Sequence, residues 1–206
     1  MSIYPLRVPE FIQSFFPDLV WRIENSEQKI YLTFDDGPTL GVTDKVLEYL
    51  HHYNAKATFF CIGKNVEANS SLFQSILDDG HSVGNHTHNH KNGWKTLNNE
   101  YFDNIEQCYK LVNSNLFRPP YGKIKSSQTK FLKERYKIIM WNVLSGDFDQ
   151  TLSKERCLNN ILKLTKGGSI VVFHDSLKAS ERILYALPRM LEYFSEKGYK
   201  FDSISF

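Results

Sequence analysis

A chain of 206 residues with 41% hydrophobic and 23% charged side chains is long enough to bury a full core and has an ordinary globular composition. Its net charge of +2, carried by scattered Lys and Arg, excludes a nucleic-acid footprint, and no apolar run approaches the roughly 20 residues of a membrane span. The three distant cysteines, Cys61, Cys108 and Cys157, supply neither a disulfide framework nor a zinc knuckle, and Cys61 follows Thr58-Phe59-Phe60 into an apolar core run.

Met1–Arg7 lacks the basic start and apolar stretch of a signal peptide, which places the chain as written in the cytoplasm. A trimmed chain would look the same, which leaves the cell envelope open as the alternative. Val8, Phe11, Ile12, Phe15, Phe16 and Leu19 recur at helical spacing, predicting an amphipathic helix over 8–16 whose stripe packs on the core. A stripe of this kind also suits a partner or a membrane surface, but its polar face is not strongly basic. Residues 1–28 therefore read as an extension packed on a domain spanning 29–206.

From Lys29 onward, predicted strands at 29–35, 57–62, 82–86, 116–118, 137–143, 168–174 and 200–205 alternate with helices. The helical patterns cover 42–53, 65–78, 98–113, 126–135, 153–165 and 179–197, with a break or a helix start expected near Pro188. About seven strands separated by helices predict an α/β fold with a parallel sheet, either a barrel or a doubly wound sheet, in one domain.

The chemistry-bearing residues fall at strand C-terminal ends, which share one rim in a parallel barrel. Ile30-Tyr31-Leu32-Thr33-Phe34 runs into Asp35-Asp36 and stops at Gly37-Pro38. Two carboxylates this close need a cation or a proton between them. Three histidines fall within five residues, His86, His88 and His90, and point to a metal. His86 with His88 share a face of a strand. His86 with His90 share one if the chain turns helical, and this pair is favoured because the opening strand carries Asp-Asp rather than H-x-H. Two imidazoles and one carboxylate leave positions open for substrate, with zinc the default and cobalt or nickel compatible. The second carboxylate is then free to act as a base, oriented by Arg118.

His174 closes the apolar run Ile170-Val171-Val172-Phe173 and fits a general acid, with Asp147 orienting its ring; Asp175 reads as a turn residue or helix cap. Tyr121, Trp94, Trp141 and Phe148 are the large aromatic residues on or near these motifs. Trp141 is expected in the core and Trp94 on the rim.

Taken together, Thr33–Pro38 (T-F-D-D-G-P), His86–His90 (H-T-x-x-H), Arg118–Gly122 (R-P-P-Y-G) and Val172–His174 resemble the polysaccharide deacetylase (NodB-homology) family of carbohydrate esterases from about Lys29 to the C-terminus. The resemblance implies a distorted (β/α) barrel and one metal, usually zinc, on Asp36, His86 and His90. It implies Asp35 as base tethered by Arg118, His174 as acid partnered by Asp147, and the Tyr121 backbone N–H as an oxyanion donor. Where the family often shows D-x-x-D-W, this chain reads Leu144-Ser145-Gly146-Asp147-Phe148, which keeps Asp147 and alters the groove. Val172 likewise stands where leucine is usual. Trp94 and Phe148 are the groove candidates.

The expected activity is metal-dependent removal of N-acetyl groups from N-acetylglucosamine-type glycans, peptidoglycan or chitin-like, with release of acetate. O-deacetylation of acetylated xylan is the second reading. A non-catalytic carbohydrate-binding protein on the same fold is the third, and the presence of every ligand and the base speaks against it.

Overall fold

The computed structural model describes residues 6–24 and 28–206. Met1–Pro5, on which most of the leader reading rests, and residues 25–27 of the extension lie outside the described residues. In chain order come α1 (Glu10–Gln13), β1 (Leu19–Val20), β2 (Lys29–Asp35), α2 (Thr43–His52), β3 (Ala57–Cys61), α3 (Gly63–Ala68), α4 (Ser70–Asp78), β4 (Ser82–Asn85) and α5 (Asn98–Val112). They are followed by β5 (Leu116–Phe117), α6 (Ser126–Leu132), β6 (Lys137–Ile139), β7 (Val143–Leu144), α7 (Lys154–Leu164), β8 (Ile170–His174), α8 (Ser180–Glu196) and β9 (Lys200–Phe201).

The nine strands pair in parallel in the order β1-β6-β5-β4-β3-β2-β8-β7, with β9 beside the start of β2. With helices outside, this is the distorted (β/α) barrel. Side-chain alternation along each strand separates two cores. Ile30, Leu32 and Phe34 of β2 join Phe59 and Phe173 and the apolar faces of α2 and α8. Tyr31, with Phe60, Leu116, Ile139 and Ile170 from four other strands, fills the interior. Asp35 follows the inward set, and the β2–β8 register sets it beside His174. Cys61 is buried in the outer core as expected.

Several expectations are corrected. Helix α1 is one short turn with no buried residue, and Phe11, Phe15 and Phe16 are 67%, 73% and 47% exposed. Pro17 cuts the predicted helix short, and the downstream residues leave as a strand: β1 pairs with β6, and Arg22 bridges Ser169. Helix α8 runs unbroken through Pro188, because Ile183, Leu187, Met190, Leu191 and Phe194 bury one continuous face that outweighs the lost hydrogen bond. The predicted strand 137–143 divides into β6 and β7, which lie far apart in the sheet order, β6 next to β1 and β7 at the opposite end. Residues 65–78 divide into α3 and α4 at Asn69, whose side chain bonds the Pro38 and Asn65 carbonyls.

Candidate active site

Five segments converge at the strand ends. Asp36 follows β2 with φ 82°, a left-handed turn that swings its carboxylate away from the strand's alternation and onto the same rim as Asp35. Asn65 holds the Asp36 carbonyl from α3 at 2.7 Å. The histidine segment after β4 is a loop, not the helical turn the i,i+4 pairing suggested. Left-handed Thr87 (φ 63°) and His90 (φ 54°) fold it back, so that His90 returns beside His86 with ring centroids 5.1 Å apart. Gly63 and Lys64 donate to its carbonyls, and its own N–H groups donate to Asn85 and Asn104, so its backbone is pinned from both sides. Such strained backbone persists only where the surroundings enforce it.

Asp36, His86 and His90 offer ligand atoms within 4.8 Å of one another. His90 Nε2 lies 3.2 Å and His86 Nε2 3.7 Å from Asp36 Oδ1. That oxygen is buried and has no hydrogen-bond partner among the described residues, which fits a metal ligand. His86 Nδ1 lies 2.8 Å from the Arg118 carbonyl, so its Nε2 is the lone-pair nitrogen facing the cluster. Burial first, and then His90, push the His86 pKa down to about 3, and burial lowers that of His90. Both imidazoles are neutral, the form that binds metals. His88 turns away to Glu67, 3.7 Å off, and takes no part.

Asp35 is held apart from this cluster. Arg118, fully buried, donates from Nη1 to Asp35 Oδ1 and Thr33 Oγ1, both at 2.7 Å, from Nε to the Ile139 carbonyl and from Nη2 to the Met140 carbonyl. Its plane lies over Phe60 at 4.1 Å. Burial lowers its pKa while Asp35 counters that shift, and the guanidinium sits buried among these hydrogen bonds.

His174 faces this site from β8. Asp147, fully buried, accepts from His174 N at 2.7 Å and lies 2.8 Å from Nδ1. Arg182 donates to the Asp147 carbonyl at 2.7 Å. Burial opposes a charge on His174, but Asp147 outweighs it, with Asp36 and Asp35 adding, and the pKa rises to about 9. His174 is therefore a proton carrier at neutral pH, with Nε2 facing outward.

Asp175 corrects its turn-or-cap reading. Its carboxylate accepts from Gly37 N at 3.0 Å and from the Thr43 hydroxyl at 2.6 Å, and its own N–H donates to the Asp35 carbonyl at 3.1 Å. It clamps the Asp35–Gly37 turn from behind. Burial, and then the nearby charge of Asp36, raise its pKa to about 7.

Tyr121 has φ 60°, and its turn is closed by hydrogen bonds from Gly122 and Lys123, so the turn leaves the Tyr121 N–H unused. A cavity of about 650 Å³ is lined by Asp35, Asp36, His86, His90, Tyr121, His174 and Phe148. Phe148 meets His174 edge-on at 5.1 Å. Trp141 lies between β6 and β7 and lines this cavity, half-buried, rather than packing inside a strand. Trp94 lines a neighbouring cavity instead. Sequence reasoning missed Val8, Trp21 and Lys178, which also line the site. Trp21 and Val8 belong to the apolar extension, whose stripe was the visible signal.

The sequence profile described as Polysaccharide deacetylase matches residues 22–136. A peptidoglycan-N-acetylglucosamine deacetylase of Bacillus cereus is 35% identical over 91% of this chain and 91% of its own length. A bifunctional xylanase/deacetylase of Pseudobutyrivibrio xylanivorans is 30% identical over 87% of this chain and 30% of its own. The crystal structure of a peptidoglycan N-acetylglucosamine deacetylase, in complex with 4-naphthalen-1-yl-N-oxidanyl-benzamide, superposes with a TM-score of 0.88 at 29% identity over 96% of this chain and 95% of that one.

Proposed function

The chain belongs to the polysaccharide deacetylase family, and from that footing we propose that it is a metal-dependent hydrolase of N-acetyl groups on N-acetylglucosamine-type glycans, peptidoglycan or chitin-like, releasing acetate. One observation carries the reading. The adjacent carboxylates have separate partners, Asp36 with His86 and His90, Asp35 with Arg118.

Asp36, His86 and His90 would hold a divalent metal, zinc by ligand type, with cobalt or nickel compatible. When bound, such a metal supplies Lewis acidity toward the acetyl carbonyl and lowers the pKa of a water toward about 7. Asp35 takes the proton of the attacking water, and the hydrogen bond from Arg118 keeps it aimed. The Tyr121 N–H donates to the oxygen that gains charge as the carbonyl becomes tetrahedral. His174, charged through Asp147, gives its Nε2 proton to the leaving amine, after which acetate and the free amino sugar depart.

Acetate release from acetylated glycans, with chelator and with zinc restored, tests this directly. Asp35→Asn should abolish turnover and keep the metal; substantial residual activity would refute the assignment of the base. The xylanase/deacetylase relative favours O-deacetylation as the second reading. His174→Ala separates the two, because an amine leaving group needs the acid more than an alcohol does.

A further inference from the structure

Asp175 is a carboxylate beside the site that neither the metal group nor the proton transfers use, and it is only 1% exposed. Burying a carboxylate is costly unless hydrogen bonds offset it, so an apolar side chain would fill the same space better if packing were its task. Its bonds converge on one stretch of chain. Oδ1 accepts from Gly37 N at 3.0 Å, Oδ2 accepts from Thr43 Oγ1 at 2.6 Å, and its N–H donates to the Asp35 carbonyl. Thr43 Oγ1 in turn accepts from Thr39 N at 2.7 Å, which ties the start of α2 to the same carboxylate.

That stretch needs holding. Asp36 sits at φ 82°, where an L side chain is strained, and this turn is what brings its carboxylate to the rim beside Asp35. The carbonyls from Asp35 to Pro38 are each met by a donor from elsewhere in the chain: Asp35 by Asp175 N, Asp36 by Asn65 Nδ2 at 2.7 Å, Gly37 by Ile62 N at 3.1 Å and Pro38 by Asn69 Nδ2 at 3.2 Å. Gly37 has no room for a side chain, because a Cβ there would enter the Asp175 carboxylate. The β2–β8 register sets Asp35 opposite His174, so the residue after the acid falls behind the turn that carries the metal ligand.

Resting on the metal-dependent reading, we propose that Asp175 and Asn65 are positioning residues for the metal site. They fix the backbone on either side of the Asp36–Gly37 peptide, so that the Asp36 carboxylate meets His86 and His90 while Asp35 stays with Arg118. The Asp175 carboxylate acts through the Gly37 N–H, and Asn65 acts through the Asp36 carbonyl. Neither belongs to the ligand group itself. Outer partners of this kind set how well a site is preformed, and losing one typically weakens metal affinity about 10–100-fold.

Calorimetric titration of the metal-free protein with zinc, and the visible absorption of its cobalt form, test the assignment without relying on turnover. Asp175→Ala should weaken zinc binding about ten-fold or more and alter the cobalt bands at saturating metal, because the ligands are kept but their geometry loosens. Asp175→Asn should recover most of the affinity, since its amide oxygen can still accept from Gly37 N and its nitrogen can face the Thr43 hydroxyl. At saturating zinc, kcat should fall in Asp175→Ala with KM little changed, the mark of a misaimed base. Asn65, half-buried on α3, gives a second variant that leaves the β8 end intact, and Asn65→Ala should weaken zinc binding in the same direction. Wild-type affinity and cobalt bands in Asp175→Ala, with only the melting temperature lowered, overturn the assignment. An asparagine variant as weak as the alanine one overturns it as well, by showing that the charge and not the bonds matters. Should Asp175→Ala fail to fold, Asn65→Ala decides, weakened zinc binding supporting the assignment and unchanged binding refuting it. A wild-type protein that takes up neither zinc nor cobalt sinks the metal reading itself and the positioning roles with it, an outcome distinct from variants that bind as the wild type does.

Discussion

Replacing Asp147 by asparagine removes one charge from behind His174 and leaves the side chain's size nearly unchanged. In the native protein burial disfavours the imidazolium, and the Asp147 carboxylate at 2.8 Å more than reverses this, lifting the pKa from 6.5 to about 9. At about pH 7.5 a group with the raised value is almost wholly protonated, whereas one restored to 6.5 keeps about a tenth of its protons. Asp147→Asn should therefore lose about ten-fold or more in kcat/KM at that pH, with the alkaline limb moving down to 6.5 or below because the burial that disfavours the imidazolium remains. Acetate release measured across the pH range reads the limb directly. The same shift makes a stability prediction. A raised histidine pKa stabilises the fold fully below the unfolded value of 6.5, and this is lost as pH rises through about 9. The shift corresponds to about 3 kcal/mol, so the melting gap between wild type and variant should narrow across that window. The asparagine amide also faces the His174 N–H that Asp147 Oδ2 now accepts, a pH-independent cost of about 1–3 kcal/mol, so the slope and not the offset is diagnostic. An alkaline limb that stays in place in Asp147→Asn would refute the argument.

His90→Ala should strip the metal while His88→Ala retains it, as read by metal analysis of the purified proteins; the reverse pattern would show that the ligand choice is wrong. Gly37→Ala drives a Cβ into the Asp175 carboxylate and should cost about 1–3 kcal/mol or more, a Tm loss of several degrees, whereas a wild-type melting curve would mean that the turn yields freely. Arg118→Lys keeps the charge but cannot reproduce the guanidinium's fork of four bonds. It should lower stability by about 3 kcal/mol in urea unfolding and turnover far more, and retained activity would show that Asp35 needs no such tether.

The strand ends were legible because an apolar run closed by a polar residue is a local signal, as at Phe34-Asp35 and Phe173-His174. The choice of His90 over His88 was legible only as a preference. Its cause, a reversal at Thr87 and His90 enforced by α3 and α5, lies in residues distant in sequence. The role of Asp175 was hidden for the same reason, since its partners Gly37 and Thr43 are 138 and 132 positions away. Periodicity at Phe11, Phe15 and Phe16 reported apolarity correctly but carried nothing about what would cover it. Pro188 misled because breaker statistics ignore how strongly one helical face is buried.

Arg118 does more than hold a carboxylate. Its guanidinium joins β2, the end of β6 and the Met140 carbonyl beyond it, so its charge is bearable in the interior only when all three arrive in register. A chain with β6 slipped or detached would bury an arginine without its carbonyls and would also lose the alignment of Asp35. Assembly and competence are thus joined at one side chain, and a misassembled barrel has no aimed base with which to attack a cell's glycans.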